Sequence, residues 1–240
     1  MPSSTSCYPA TAGRLLPDQS AGVPARRVDV PFTRLAGWIE RYDARHPQTT
    51  WTVLDGRVVA VGADGSRVEF EVPWGSDDLG SVDAVVLHLA EEWQVGVVLV
   101  RRGGFAVAWA VGDDVRESKV GKRHVQGKTK AGGWSQQRFA HRRENQAKAA
   151  FDAAAEHAAR ILVPHRGALR VLGVGGDRRA TETVLEHAAL VTLADVPHRW
   201  LGGLPDPNRA VLTQAVTATR SVTVSITDPT LDDDGSRGRG

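Results

Sequence analysis

Cysteine is almost missing from this chain of 240 residues: Cys7 stands alone. That excludes an intramolecular disulfide and a cysteine-based zinc site. A single thiol suits a reducing compartment, so a cytoplasmic location is expected. Long apolar runs are missing as well. Nothing approaches the roughly 20 residues that a membrane helix needs, so no membrane partner is expected. Residues 1–27 are rich in Ser, Pro, Ala and Gly and lack an apolar h-region, so they read as a mobile tail and not as a signal peptide. The chain also lacks a strong excess of either charge. Its net charge is +2, and composition alone does not announce a nucleic-acid binder. No internal repeat is visible.

What is present is an ordinary apolar content, 41% of residues, enough for a core. Phe32, Leu35, Trp38 and Ile39 recur at helical spacing and predict a helix to about Arg45, stopped by His46-Pro47. Trp51 to Trp74 reads as a β meander turning at Asp55-Gly56 and Asp64-Gly65. Ser81 suits the cap of a second helix carrying Val82, Val85, Val86 and Leu89. Residues 28–92 are therefore expected to form a small α+β region, and 93–227 a second block.

In the second block Val95 to Val100 is a nearly continuous apolar run, as in a buried strand. Phe105, Val107, Trp109 and Val111 alternate with alanines, and Gly112-Asp113-Asp114 turns the chain toward a third strand. That hairpin turn accounts for the two aspartates without a metal. Residues 124–137 have no periodicity and predict a long loop. A helix from about Gln137 to Leu162 follows, with one buried stripe of Ala147, Phe151, Ala154, Ala158 and Ile161. Further strands are expected at Leu169–Val174, Leu190–Leu193 and Val222–Ile226. Helices are expected near 178–188 and 208–215, the latter with Asp206 as cap and Pro207 first. The fold class is thus α/β, a mixed sheet with covering helices, preceded by the small α+β region. Residues 228–240 read as a disordered tail.

The positive charge is concentrated. Between residues 115 and 148 stand Arg116, Lys119, Lys122, Arg123, Lys128, Lys130, Arg138, Arg142, Arg143 and Lys148, against only Glu117 and Glu144. The remainder of the chain is net acidic. Such a local excess is the footprint of a phosphate-backbone partner, and otherwise it is a solvated basic face. Fourteen loop residues give about seven each way, so at about 3.3 Å per extended residue the tip reaches on the order of 20 Å beyond the sheet. The tip is Ala131-Gly132-Gly133-Trp134-Ser135-Gln136, and its small residues let backbone approach a substrate closely.

The tip has no Ser-His-Asp order, carboxylate pair or metal cluster, and the loop contains no acid. An enzyme built on it works by positioning and hydrogen bonding, and no cofactor is implied. Hydrolysis of an activated ester fits: a glutamine orients water, and backbone N–H groups stabilise the oxyanion. Gly173-Val174-Gly175-Gly176-Asp177, between a strand and a helix, reads as a tight turn or, alternatively, as a phosphate site.

Gly133-Trp134-Ser135-Gln136 is a Gly-x-x-Gln sequence. The run from Lys128 to Arg138 (KTKAGGWSQQR) resembles the Vms-like release factors, in particular their actinobacterial branch. Those factors are related to the catalytic domain of eukaryotic and archaeal class I release factors, which carry a Gly-Gly-Gln loop. The resemblance covers about residues 93–227. It implies a release-factor-like catalytic domain and codon-independent hydrolysis of peptidyl-tRNA on stalled large subunits. It also implies catalytic roles for Gly132, Gly133 and Gln136, with Gln137 as the other candidate glutamine. Trp134 is a candidate for base stacking. Ser135, Gln137 and the basic residues Lys128, Lys130, Arg138, Arg142 and Arg143 are candidates for contact with tRNA or ribosomal RNA. A monomer is expected. Two other readings stay open: a ribosome-binding rescue factor without chemistry, and a tRNA 3′-end endonuclease using His124 or His141.

Overall fold

The computed structural model describes residues 25–74, 79–101, 103–122 and 134–228, the backbone alone for 134–147. Two five-stranded sheets organise them. The first consists of β1 (Arg26–Pro31), β2 (Thr50–Leu54), β3 (Arg57–Val61), β4 (Arg67–Glu71) and β10 (Ser221–Thr227). Its order is β1-β10-β4-β3-β2, and every pairing is antiparallel. Helices α1 (Phe32–Arg45) and α2 (Val82–Ala90) supply Leu35, Ile39, Val85 and Leu89 to a core with Val58, Val68, Val222 and Val224. The expected turns hold: Asp55 and Gly56 both adopt positive φ, and so does Gly65. The Ser81 side chain accepts from the Ala84 N–H at 3.2 Å, capping α2 as expected.

The second sheet contains β5 (Gln94–Arg101), β6 (Gly104–Val111), β7 (Asp114–Lys122), β8 (Leu169–Gly176) and β9 (His198–Leu201). Its order is β7-β6-β5-β8-β9. Three strands meander antiparallel, whereas β8 lies parallel to both β5 and β9. Helices α3 (Trp134–Leu162) and α4 (Arg178–Leu185) cover one face, packing Ala154, Ala158, Ile161 and Val184 on Val98, Val107 and Leu172. Helix α5 (Arg209–Thr219) covers the other with Leu212, Ala215 and Val216. The mixed α/β sheet with covering helices is thus the observed class. Among the described residues no helix is long and apolar enough to cross a membrane.

Four details differ from the sequence expectations. Strand β1 starts at Arg26, inside the segment expected as tail. Only Val28 and Val30 mark it, and its hydrogen bonds come from β10, nearly two hundred residues away in sequence. Strand β10 joins the first sheet, between β1 and β4, so residues 93–227 are not a self-contained layer. Leu190–Leu193 falls in a 3-10 helix, Ala188–Leu193, whose buried Leu190 and Leu193 sit three apart, the period of that helix. The strand beside β8 is β9 instead. Helix α5 is capped by Asn208, which accepts from the Val211 N–H at 3.0 Å, and not by Asp206.

The two layers meet in a polar and aromatic seam. The Trp74 ring packs edge-on against Phe32 at 5.1 Å and Trp93 at 6.2 Å. Arg220, only 3% exposed, pairs with Asp113 of the β6–β7 turn. It also donates to the Glu91 carbonyl at 3.2 Å, while its own carbonyl accepts from the Phe32 N–H at 2.9 Å.

Candidate functional site

Strands β5, β8 and β9 end at one edge of the second sheet, where β6 begins and β7 leaves. Such carboxyl edges are where α/β sheets collect ligands. Residues 123–133 stand between β7 and α3 in the sequence. His124, Lys128, Lys130, Gly132 and Gly133 fall there, outside the described residues. Trp134, Ser135, Gln136, Gln137, Arg138, Arg142 and Arg143 are placed on α3.

The long loop is therefore shorter than expected, because residues 134–137 form the first turn of α3. No Ser, Thr, Asp or Asn precedes Trp134 to announce the start, which is the signal a sequence reading relies on. The first turn contains no acidic residue. Its free N–H groups and the positive end of the helix dipole are left without a neighbouring negative charge from that turn.

Helical register sorts these residues. Five turns of about 3.6 residues span 18 positions. Gln136 and Gln137 are thus in register with Ala154 and Ala155, both fully buried against the sheet. Arg138 and Arg142 are in register with Glu156 and Arg160, which are exposed. At about 1.5 Å per residue, Gln136 lies about 21 Å along the helix from Ala150, where the described packing of α3 on the sheet begins.

At that point lies a cavity of about 260 Å³. Val100 and Phe105 line it from the sheet, and Ala150, Phe151 and Ala153 from α3, with Arg101 and Lys122 also in its wall. Gly121 sits opposite Phe105 in the strand register. A Cβ on Gly121 would fall 2.3 Å from the Phe105 ring, so the ring lies directly on bare backbone. The other neighbour of that ring is His157, stacked at 5.6 Å. Sequence reading put Phe105 on the large-residue face of a strand and missed this cavity. The available signal was a glycine inside a strand, which marks close approach.

The glycine turn after β8 resolves into packing. Gly176 has φ of 109°, and a Cβ there would stand 2.1 Å from the Val100 carbonyl oxygen. Asp177 caps α4 by accepting from the Ala180 N–H at 3.2 Å. A carboxylate already holds the position that a phosphate would take, so the tight-turn reading is the one the geometry favours. Nearby, the Arg101 guanidinium donates to the Leu204 carbonyl at 2.6 Å and to Asp206 at 3.3 Å. Arg178 stacks over the partly exposed Trp200 ring at 4.5 Å.

Shifted ionisable groups lie away from this edge. Hydrogen bonds from His46, then Ser66, hold the Asp64 carboxyl well below the usual carboxylate range. Burial pushes the Arg199 guanidinium down from its ordinary value. Among the described residues no group of three His, Cys, Asp or Glu side chains is placed to hold a metal ion.

The sheet edge thus leads, through a segment rich in basic residues, into α3, with Gln136 in the first turn of that helix. The family described as Actinobacteria/chloroflexi VLRF1 release factor matches residues 93–225, more than half of the chain, and the protein belongs to that family. Among solved structures, the Vms1 mitochondrial localization core aligns over 76% of this chain and 78% of its own, at 8% identity and a TM-score of 0.42. The archaeal translation termination factor aRF1 aligns over 76% of this chain and 62% of its own, at 15% identity and a TM-score of 0.31. No curated protein matches.

Proposed function

We propose that the protein is a codon-independent peptidyl-tRNA hydrolase acting on large ribosomal subunits that retain peptidyl-tRNA. The observation carrying this reading is the Gly133-x-x-Gln136 sequence at the basic junction leading into α3, in a member of a release-factor family. Gly132 and Gly133 give the chain the freedom to pass close to the substrate. Gln136 holds a water against the ester carbonyl carbon, an ordering that lowers the barrier by several kcal/mol. The first N–H groups of α3 have no helical partners and donate to the developing oxyanion, assisted by the helix dipole.

Lys128, Lys130, Arg138, Arg142 and Arg143 neutralise RNA phosphates, and Trp134 stacks on a base. A helix of 29 residues, about 43 Å long at 1.5 Å per residue, supplies the reach that the sequence reading gave to the loop alone. This reading places the protein in the cytoplasm as a monomer.

The test uses purified large subunits carrying labelled peptidyl-tRNA. Wild type is expected to release free peptide and leave the tRNA intact. Gln136→Ala should slow release by about 100-fold, the scale of a misplaced reactant. Intact peptidyl-tRNA with wild type would leave an RNA-binding rescue factor, and a shortened tRNA would make the protein a nuclease.

A further inference from the structure

We propose that the groove on the face of the first sheet turned away from its helices docks the chain's own acidic segment, Asp232 to Asp234. The groove measures about 560 Å³, within the roughly 300–1,000 Å³ typical of ligand sites. Arg27, Arg57, Glu69 and Glu71 line it from the first sheet, and Arg199 reaches in from β9 of the second.

Pairing sorts these charges. Glu69 is held by Arg67, and Glu71 lies 3.8 Å from Arg57. Arg199 donates to the Thr219 carbonyl at 3.3 Å and to the Ser221 carbonyl. Asp29 acts on it through space, but the Thr223 hydroxyl engages that carboxylate at 2.6 Å. Among the described residues neither Arg27 nor Arg199 has a carboxylate within ion-pair distance. A partly buried guanidinium held only by carbonyls gains from an anion brought to it.

The occupant follows from where the chain goes next. Strand β10 runs along the groove and ends at Thr227. Three aspartates, Asp232 to Asp234, follow, then Arg237 and Arg239, all outside the described residues. At about 3.3 Å per extended residue, Asp232 is about 16 Å past Thr227 and Asp234 about 23 Å. Ser225, which faces Arg27 in the strand register, lies about 7 Å back along β10, and Ser221, beside Arg199, about 20 Å. A chain that reverses at Asp228-Pro229, a dipeptide suited to a turn, therefore brings the aspartates to both arginines. A run of phosphates would meet Glu69 and Glu71 in the wall, whereas the segment offers them Arg237 and Arg239. Exposed ion pairs are individually weak. The tether offsets this, because a short link keeps the segment at an effective concentration on the order of millimolar.

The full-length protein, with nitrogen-labelled arginine side chains, is compared by NMR at low salt with a variant carrying Asp232→Asn, Asp233→Asn and Asp234→Asn. The variant should shift the Arg27 and Arg199 Nε–H signals and leave that of Arg160, paired with Glu117 on the second sheet, in place. At an ionic strength of about 1 M, where the screening length falls to about 3 Å, the wild-type Arg27 and Arg199 signals should move to the positions seen in the variant. Inorganic phosphate should bind both arginines at least fivefold more tightly in the variant, because the aspartates no longer compete. Arg27 and Arg199 signals that do not move in the variant would overturn the proposal. Equal phosphate binding by the two proteins would overturn it as well, and would mean that the groove stands open to any anion.

Discussion

The two sheets solve burial differently. In the first, β3 and β4 alternate buried and exposed positions, because helices cover one face only. In the second, six consecutive residues of β5 are buried, because α3 and α4 lie on one side and α5 on the other. The half-covered sheet is a smaller layer, and it is completed by the final strand of the chain. The contrast teaches that the two are not successive beads. The chain returns from the second sheet through α5 and Arg220 to place β10 in the middle of the first.

The largest effect should come from breaking that return. Val224 is fully buried in β10. Val224→Asp puts a charge into the core of the first sheet and is expected to cost about 4–5 kcal/mol or more. Because β10 continues α5, calorimetry should show one transition, lowered as a whole. A variant that keeps an unshifted second transition would mean that the sheets fold independently.

The seam itself should matter less. Asp113→Ala leaves the buried Arg220 guanidinium without its carboxylate, although 47% exposure of Asp113 moderates the loss. A destabilisation of about 1–3 kcal/mol is expected in urea unfolding. Wild-type stability would show that the pair merely decorates the interface.

The smallest effect concerns the first sheet alone. Asp64 hydrogen-bonds His46 at 2.7 Å and accepts from the Ser66 N–H at 2.9 Å, tying the β3–β4 turn to the end of α1. Its carboxyl is held down in the folded state. Its stabilising contribution is therefore complete above the unfolded carboxylate value of about 4 and fades as pH falls through the lower folded value. The Tm difference between wild type and Asp64→Asn should be constant near neutrality and shrink below about pH 4. A difference that does not change down to acid unfolding would remove Asp64 as the cause.

Much of the fold was legible because local rules decide it. Spacing of Leu35 and Ile39, the Asp-Gly turns, the Ser81 cap and the apolar run of β5 each act within a few residues. Strands β1 and β9 were not legible. Strand β9 is short, and the partners of both, β10 and β8, are distant in sequence, so nothing local marks them. The candidate site divides in the same way. The basic segment and the Gly-x-x-Gln sequence are written in the chain, whereas the cavity at Phe105 exists only because Gly121, Ala150 and Ala153 meet there.

By itself the sequence determined most of the helices and turns, where positive charge gathers and where the Gly-x-x-Gln sequence stands, since these follow from composition and short-range spacing. Tertiary structure alone decided that the last strand closes the first sheet. It also decided that α3 starts at Trp134 and that a cavity lies between Phe105 and α3. Each depends on hydrogen bonds and packing between segments far apart in the chain, which no local pattern encodes.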